Sequence, residues 1–414
     1  MDYKSWFIDY DMKYELLAPV GNFRSLRSAI DAGADAIYFG IRGFNMRDSA
    51  KNFSLRDLDK MRRICSSGDS VVRMYLTLNT VVYDSELRRV EDVVRKVAGK
   101  VDAIICWDLA VIGLCCKHKV PFHVSTQASV SNVKSARFYR ELGAERIVLA
   151  RELSLKQIRK IAREVDIEVE AFCHGAMCVA VSGRCFMSQH LAGCSANRGR
   201  CLQFCRRSWK VSDDRGNDLR LENSRVMSAK DLCTLPFVEE MKKAGVRSFK
   251  IEGRNRGAEY VRTVVSVYRK AIDMKLDEEA IEEGFSELGK VYNRGFSSGF
   301  YLGVPTGDDF SLSEHGEQTE TKEFVGRVEK FWPRSEACSV RMFSGKLGVG
   351  DEVYLSSDDI GIVRGVVKSI ELDGKSVEFA KKGDDVGVVF GCSEKVKRGV
   401  EVYVIRGKKG VEGI

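Results

Sequence analysis

Eight short, β-rich apolar runs recur between Glu15 and Glu252, and the helical spacing of the segments between them limits the fold more than any other feature of the chain. The runs are Glu15–Val20, Ala36–Gly40, Val71–Leu78, Ala103–Trp107, Phe122–Thr126, Arg146–Arg151, Glu168–Cys173 and Ser248–Glu252. Between them, Phe23–Ala32, Leu55–Ser66, Ser85–Val97, Val133–Leu142 and Leu155–Glu164 place apolar residues at i, i+3 and i+4, as a helix with one buried face requires. Alternating β and α segments build a parallel sheet. Eight repeats predict an α/β fold closed into a (β/α)8-type barrel, with an open doubly wound sheet as the alternative.

The seventh and eighth runs are about 75 residues apart, far more than a βα connection needs. An insertion is therefore expected after strand 7, over residues 173–233, with a small hairpin around Trp209–Val211 and Leu219–Leu221. A long helical stretch from Ala258 to about Leu288 completes a catalytic unit spanning 13–300. Residues 301–321 are polar and turn-rich, a linker. From 322 to 410 short strands predict a separate small β-barrel: Val325–Val328, Cys338–Met342, Glu352–Leu355, Val363–Ile370, Ser376–Phe379, Val386–Val389 and Glu401–Val404.

With 44% hydrophobic and 30% charged residues the composition is that of a globular protein, not a disordered one. The opening MDYKSWFIDYDMKYELL lacks a basic region and a long apolar core, so no signal peptide is expected. No apolar run reaches the roughly 18 residues needed to span a bilayer, which makes a cytoplasmic location the expectation. A reducing compartment disfavours disulfides and turns attention to metal or redox chemistry for the 13 cysteines. The net charge of +8 suits a polyanionic partner without requiring one.

Six cysteines, Cys173, Cys178, Cys185, Cys194, Cys201 and Cys205, fall within 33 residues, among the glycines Gly175, Gly183, Gly193 and Gly199. Zinc sites draw on close C-x2-C pairs, which the spacing C-x6-C-x15-C-x3-C lacks. Iron-sulfur clusters accept wider spacings because thiolates wrap a larger object. Buried, inert thiols are the third possibility.

The stretch Glu170-Ala-Phe172-Cys-His-Gly175-Ala-Met-Cys178, followed by Gly183-Arg-Cys185-Phe-Met-Ser188, resembles the signature of peptidase family U32. Glu15-Leu-Leu-Ala-Pro19-Val-Gly21, Gly33-Ala-Asp35-Ala-Ile-Tyr38, Ser125-Thr-Gln127-Ala, Ser228-Ala-Lys-Asp231-Leu and Lys250-Ile-Glu252-Gly-Arg254 agree with it. Despite the name, the resemblance implies oxygen-independent hydroxylation: relatives include a tRNA protein forming 5-hydroxyuridine at the wobble position, a 23S ribosomal RNA cytidine hydroxylase and a 4Fe-4S pair acting on ubiquinone. It implies a 4Fe-4S cluster on Cys178, Cys185, Cys201 and Cys205, prephenate as co-substrate, and a reductant that the sequence does not name. Cys173 and Cys194 depart from the family pattern and leave a ligand swap open. The C-terminal β-barrel, similar to the second domain of elongation factors, follows the catalytic unit in the tRNA-acting branch, so tRNA is the expected partner. Hydroxylation of ribosomal RNA and a collagenase-like peptidase remain alternatives; for the latter the chain has no H-E-x-x-H.

Working residues of such a barrel sit at the C-terminal ends of its strands. Those ends carry Asn22, Asn45, Arg47, Asn79, Asp108, Gln127, Arg151, Glu152, His174, Glu252 and Arg254. Glu252, Arg254 and His174 are candidates for catalysis, Glu252 or His174 by moving protons. Arg47, Arg151 and Arg254 could hold a dicarboxylate, with Asn79 and Gln127 nearby. Arg206 and Arg207, beside Trp209, suit phosphates and stacked bases. For Glu252 and Arg254 a structural ion pair is the competing reading.

Overall fold

Buried on both faces, parallel strands read as continuous apolar runs, and each of the eight runs forms a strand in the computed structural model. It describes residues 14–48, 51–68, 71–209, 212–216, 227–313, 316–392 and 396–408. The strands are β1 (Glu15–Pro19), β2 (Ala36–Gly40), β3 (Arg73–Thr77), β4 (Ala103–Cys106), β5 (Phe122–Val124), β6 (Arg146–Val148), β7 (Glu168–Ala176) and, beyond a short β8 (Asp231–Cys233), β9 (Ser248–Ile251). β1 to β7 pair in parallel in chain order, and β9 pairs with both β1 and β7, so eight parallel strands close into a barrel. The open sheet is excluded.

Two strands were not legible in the sequence because each is two or three residues long. β8 runs antiparallel to the far end of β7, with Gly175 opposite Leu232, and β10 (Phe296–Ser297) lies beside β8. The helix Leu109–Lys117 was also missed: LAVIGLCCK is apolar all round and shows no helical period. The helical stretch after β9 is two helices, Ala258–Asp273 and Glu278–Lys290, because the Asp277 side chain accepts from Ala280 N and starts the second. The expected hairpin around Trp209–Val211 and Leu219–Leu221 falls largely outside the described residues.

Inside the barrel the packing is split by chemistry. Leu17, Ala36, Tyr38, Tyr75, Ala103 and Ile105, from β1 to β4, form a small apolar cluster. Facing it, Arg146 Nη1 lies 2.5 Å from Glu15 Oε1 and 3.0 Å from Glu170 Oε2, while Lys250 Nζ lies 2.6 Å from Glu170 Oε1. Arg146, Glu170 and Lys250 are all buried. Burial alone pushes the Glu15 carboxyl up, but Arg146 overrides it and leaves it below its ordinary value.

The C-terminal strands are β11 (Glu320–Trp332), β12 (Ala337–Met342), β13 (Lys346–Gly348), β14 (Glu352–Ser357), β15 (Gly361–Leu372), β16 (Lys375–Val377), β17 (Phe379–Lys381), β18 (Asp385–Gly391) and β19 (Glu401–Gly407); they follow the sequence pattern except that the three-residue β13 is additional and the run Ser376–Phe379 is divided between β16 and β17. Six of them, in the order β14-β19-β11-β12-β18-β15, close into an antiparallel barrel with its own apolar core. It packs on the helices that follow β1 and β9: Arg24 pairs with Glu401, Lys322 with Glu259, and Arg262 Nη1 donates to Ile362 O at 2.8 Å. Among the described residues no helix is long and apolar enough to cross a membrane.

Substituting Arg146→Ala removes the cation that Glu15 and Glu170 share, leaving Glu170 to Lys250 alone and Glu15 to Arg73 at 3.5 Å, and is expected to cost about 3–5 kcal/mol. Urea denaturation reads this directly; a loss under about 1 kcal/mol would show that the network does not hold the barrel closed.

Candidate functional site

The cysteine-bearing segment after β7 lies across the C-terminal ends of the barrel strands. Arg198 reaches the loop after β3, pairing with Glu86 at 2.6 Å and donating to Val81 O at 2.8 Å. Asp48 N, in the loop after β2, donates to Gly199 O at 3.1 Å. Arg184 Nη2 donates to Gln127 O, beyond β5, at 3.2 Å. Two glycines permit this approach: a Cβ on Gly199 would stand 2.2 Å from Asn45 O, and one on Gly183 2.7 Å from Gln127 Cγ, both at positive φ.

Beneath this cover lie two cavities. The inner one, about 40 Å³, is enclosed by Tyr38, Thr77, Asn79, Gln127, Lys250 and Arg254, among others. The outer one, about 330 Å³, is lined by Arg47, Cys201, Gln203, Glu252, Asn255 and Arg256 with their neighbours. Arg47 and Glu252 line both, so their ion pair, Nη2 to Oε1 at 2.8 Å, is the partition between them.

Charge at the partition is set by proximity. Burial raises the Glu252 carboxyl, but Arg47, then Arg254 and Arg151, pull it below its ordinary value. The carboxylate is thus ionised, an acceptor and not a donor of protons. Arg254 is buried, and its Nη1 donates only to neutral partners, Asn45 Oδ1 and Thr77 Oγ1, each at 3.0 Å. Burial brings its guanidinium down to about 10, against which Tyr38 acts. A buried cation without a carboxylate in contact is costly, and an incoming anion would relieve it.

The thiols Cys178, Cys185, Cys201 and Cys205 share this end of the barrel. Burial pushes the Cys205 thiol up; Arg206 opposes it, and Cys178, Cys201 and Cys185 push it further, so each of the three sits within electrostatic reach of Cys205. Cys178 also acts on Arg47, after Glu252 and burial, and so stands beside the partition. Cys173 does not join them: it is buried in β7 with its thiol directed at Lys250 O, 3.4 Å away.

The profile of Peptidase family U32 matches residues 21–310. The chain belongs to peptidase family U32. Over 94% of this chain and 97% of the relative it is 41% identical to "Collagenase" of Porphyromonas gingivalis. It is 35% identical to "tRNA hydroxylation protein P1" of Bacillus subtilis over 89% of this chain and 90% of the relative. With "23S rRNA 5-hydroxycytidine C2501 synthase" of Escherichia coli it shares 36% identity over 72% of this chain and 46% of that protein.

Several strand-end residues of this U32 protein serve the scaffold instead. Asn22 and Asp108 cap the helices after β1 and β4, accepting from Ser25 N and Ala110 N; strand ends lead directly into helices, and caps demand the same short polar side chains a site would use. Glu152 is exposed. Arg151 stacks on Phe172 at 4.4 Å and donates to Ala176 O. Arg206 turns inward to Ala229 O and Met177 O, and Arg207 stacks on Phe204 at 4.3 Å. Asn79 and Gln127 do meet in the inner cavity, 3.3 Å apart. Lys250, Asn255 and Arg256 went unnamed as site residues, although charged side chains at Lys250, Glu252, Arg254 and Arg256 repeat with period two, the signal of one inward face.

His174 is absent from both cavities; its ring packs between Tyr260, Tyr268 and Phe296. Burial lowers it to about 3 from 6.5. The unfolded chain therefore takes up a proton that the folded one refuses, so stability is full above pH 6.5 and falls as pH drops toward 3. His174→Phe is expected to flatten that decline. Melting temperatures from pH 7 to pH 4 check it, and an unchanged slope would refute this placement of the imidazole.

Proposed function

We propose that this protein hydroxylates RNA without dioxygen, at C5 of a tRNA uridine in the wobble position. The observation that carries the reading is a cation-lined, partitioned cavity at one barrel mouth with Cys201 in its wall and Cys178, Cys185 and Cys201 all within electrostatic reach of Cys205. Relatives named for tRNA hydroxylation and for ribosomal hydroxycytidine synthesis support the reaction class. The tRNA-named relative aligns over 89% of this chain, a span that must include part of the small β-barrel, and this favours tRNA over ribosomal RNA.

Cys178, Cys185, Cys201 and Cys205 would hold a 4Fe-4S cluster. Among the described residues no three His, Cys, Asp or Glu side chains converge where a single ion would sit; what supports the cluster is the donor type, since thiolates are the ligands iron-sulfur groups take. When bound, such a cluster would supply a redox-active, Lewis-acidic iron for the hydroxyl of an oxygen-donating acid such as prephenate, which is reduced as the uridine is oxidised.

The rest falls to the protein's own side chains. Arg254, at the closed end, takes one carboxylate of a small acid such as prephenate by charge-assisted hydrogen bonds. The inner cavity of about 40 Å³ admits that carboxylate and no ring, so the body of the acid extends past the partition into the outer cavity. There Arg47 can exchange its contact with Glu252 for the second carboxylate. Glu252, released and ionised, accepts a proton from the reacting centre. Asn79 and Gln127 fix the orientation of the acid through neutral hydrogen bonds.

A proteolytic reading, prompted by the relative named "Collagenase", finds less support among the described histidines: His123 lies inside the barrel against Tyr75, His174 among aromatic rings, His118 pairs with Glu91, and His190 lies against Phe186. Nucleoside mass spectrometry of tRNA from a deletion strain tests the proposal. 5-Hydroxyuridine should disappear, return with the wild-type gene, and stay absent with Cys178→Ala; unchanged modification in the deletion strain would sink it.

A further inference from the structure

Behind the outer cavity lies a second group of charges that the reading above does not use. Asp231 of β8 is 1% exposed, and Arg206, Arg256 and Arg294 act on it together with Arg151. Arg294 is itself 5% exposed, and its Nη1 faces Asp231 Oδ1 at 3.6 Å, beyond hydrogen-bond length; neither atom has a hydrogen-bond partner. Several guanidinium groups thus surround one carboxylate. Excess buried charge of one sign is unfavourable unless an opposite charge joins it.

The arrangement is also built. Tyr292 carries Arg256 at 3.8 Å and Arg294 at 5.1 Å from its ring centre, which fixes both guanidinium groups. Arg294 Nη2 donates to Gln203 Oε1 at 3.4 Å, and Gln203 is held in the left-handed region at φ +54. Gln203, Asn255 and Arg256 line the outer cavity, next to Cys201 and the exposed Leu202. Arg206, committed to two backbone carbonyls, contributes charge from behind.

We propose that Arg256, stacked on Tyr292, with Gln203 and Asn255, forms a subsite for a backbone phosphate of the RNA strand at the rim of the outer cavity, with the buried Arg294 holding Gln203 and adding charge from behind. The proposal rests on the RNA reading above and adds to it the place where the strand is held. Guanidinium groups fixed by stacking suit a phosphate because their paired donors match its oxygens. A small acid is the competing source of negative charge, but Arg254 at the closed end offers it the more enclosed cation, whereas Arg256 stands on the open side beside exposed Asn255. A phosphate here would thread the strand past Cys201 and bring the neighbouring base over the partition.

The test is binding of unmodified tRNA by the full-length, anaerobically purified protein across a range of salt concentrations. Arg256→Gln is expected to weaken binding about tenfold and to lower the slope of log affinity against log salt by about one, the signature of one lost phosphate contact. Asn255→Asp, at an exposed position, should weaken binding in the same direction, and binding of a small acid such as prephenate, whose carboxylates fall to Arg254 and Arg47, should change less in either variant than tRNA binding does. Wild-type tRNA binding with both variants unaltered in affinity and slope would overturn the subsite and leave the RNA reading standing. Weakened binding of the small acid alone would overturn it in favour of an acid site. Failure of wild-type protein to bind any RNA would overturn both.

Discussion

Everything at the mouth of this barrel depends on the ionic plug beneath it. A barrel interior is ordinarily filled by layers of branched apolar side chains, yet here Arg146 and Lys250 share Glu170 and Arg146 also reaches Glu15, opposite a small apolar cluster on β1–β4. Buried ion pairs contribute little net stability because desolvation offsets attraction, but they are unforgiving of rearrangement. That rigidity has a use. Lys250 is anchored downward by Glu170, which leaves Glu252 and Arg254, the next residues of the same inward face, at defined heights above it.

Above the plug, the fold separates tasks by depth. Arg254 lies lowest among neutral partners, Arg47 and Glu252 form a partition, and Cys201 and the Tyr292-stacked Arg256 line the outer cavity beyond it. The segment that carries the cysteines is not a flexible flap: it is tied to the loops after β2, β3 and β5 by Gly199, Arg198 and Arg184. β8 adds a further tie by pairing antiparallel to the end of β7, and it delivers Asp231 to the arginine cluster. The small C-terminal barrel packs on the helices beside β1 and β9, the same two strands that close the large one.

Legibility followed the strength of the local signal. The eight barrel strands were readable because burial on both faces forces continuous apolar runs, and the small barrel because its strands alternate. The helix Leu109–Lys117 was not, since it is apolar on every side, and β8 and β10 were not, since two or three residues carry no period. At the site, Arg254 and Glu252 were singled out for their position at a strand end, and they do line the cavities. His174 was singled out on the same ground and does not, because β7 shifts register between Phe172 and His174 and turns the imidazole toward the helix Ala258–Asp273.

The sequence by itself determined the barrel, through the period of its strands, and the grouping of thiols on one connection, through their spacing. Tertiary structure alone decided which charges meet. Arg47 finds Glu252 from 205 residues away, and Arg294 finds Asp231 across a strand pairing no pattern announces. The reason is that helix caps, structural ion pairs and binding groups all draw on the same few polar side chains. Only closure of the sheet, which brings distant strand ends to one rim, sorts the residues that face a cavity from those that fasten the loops around it.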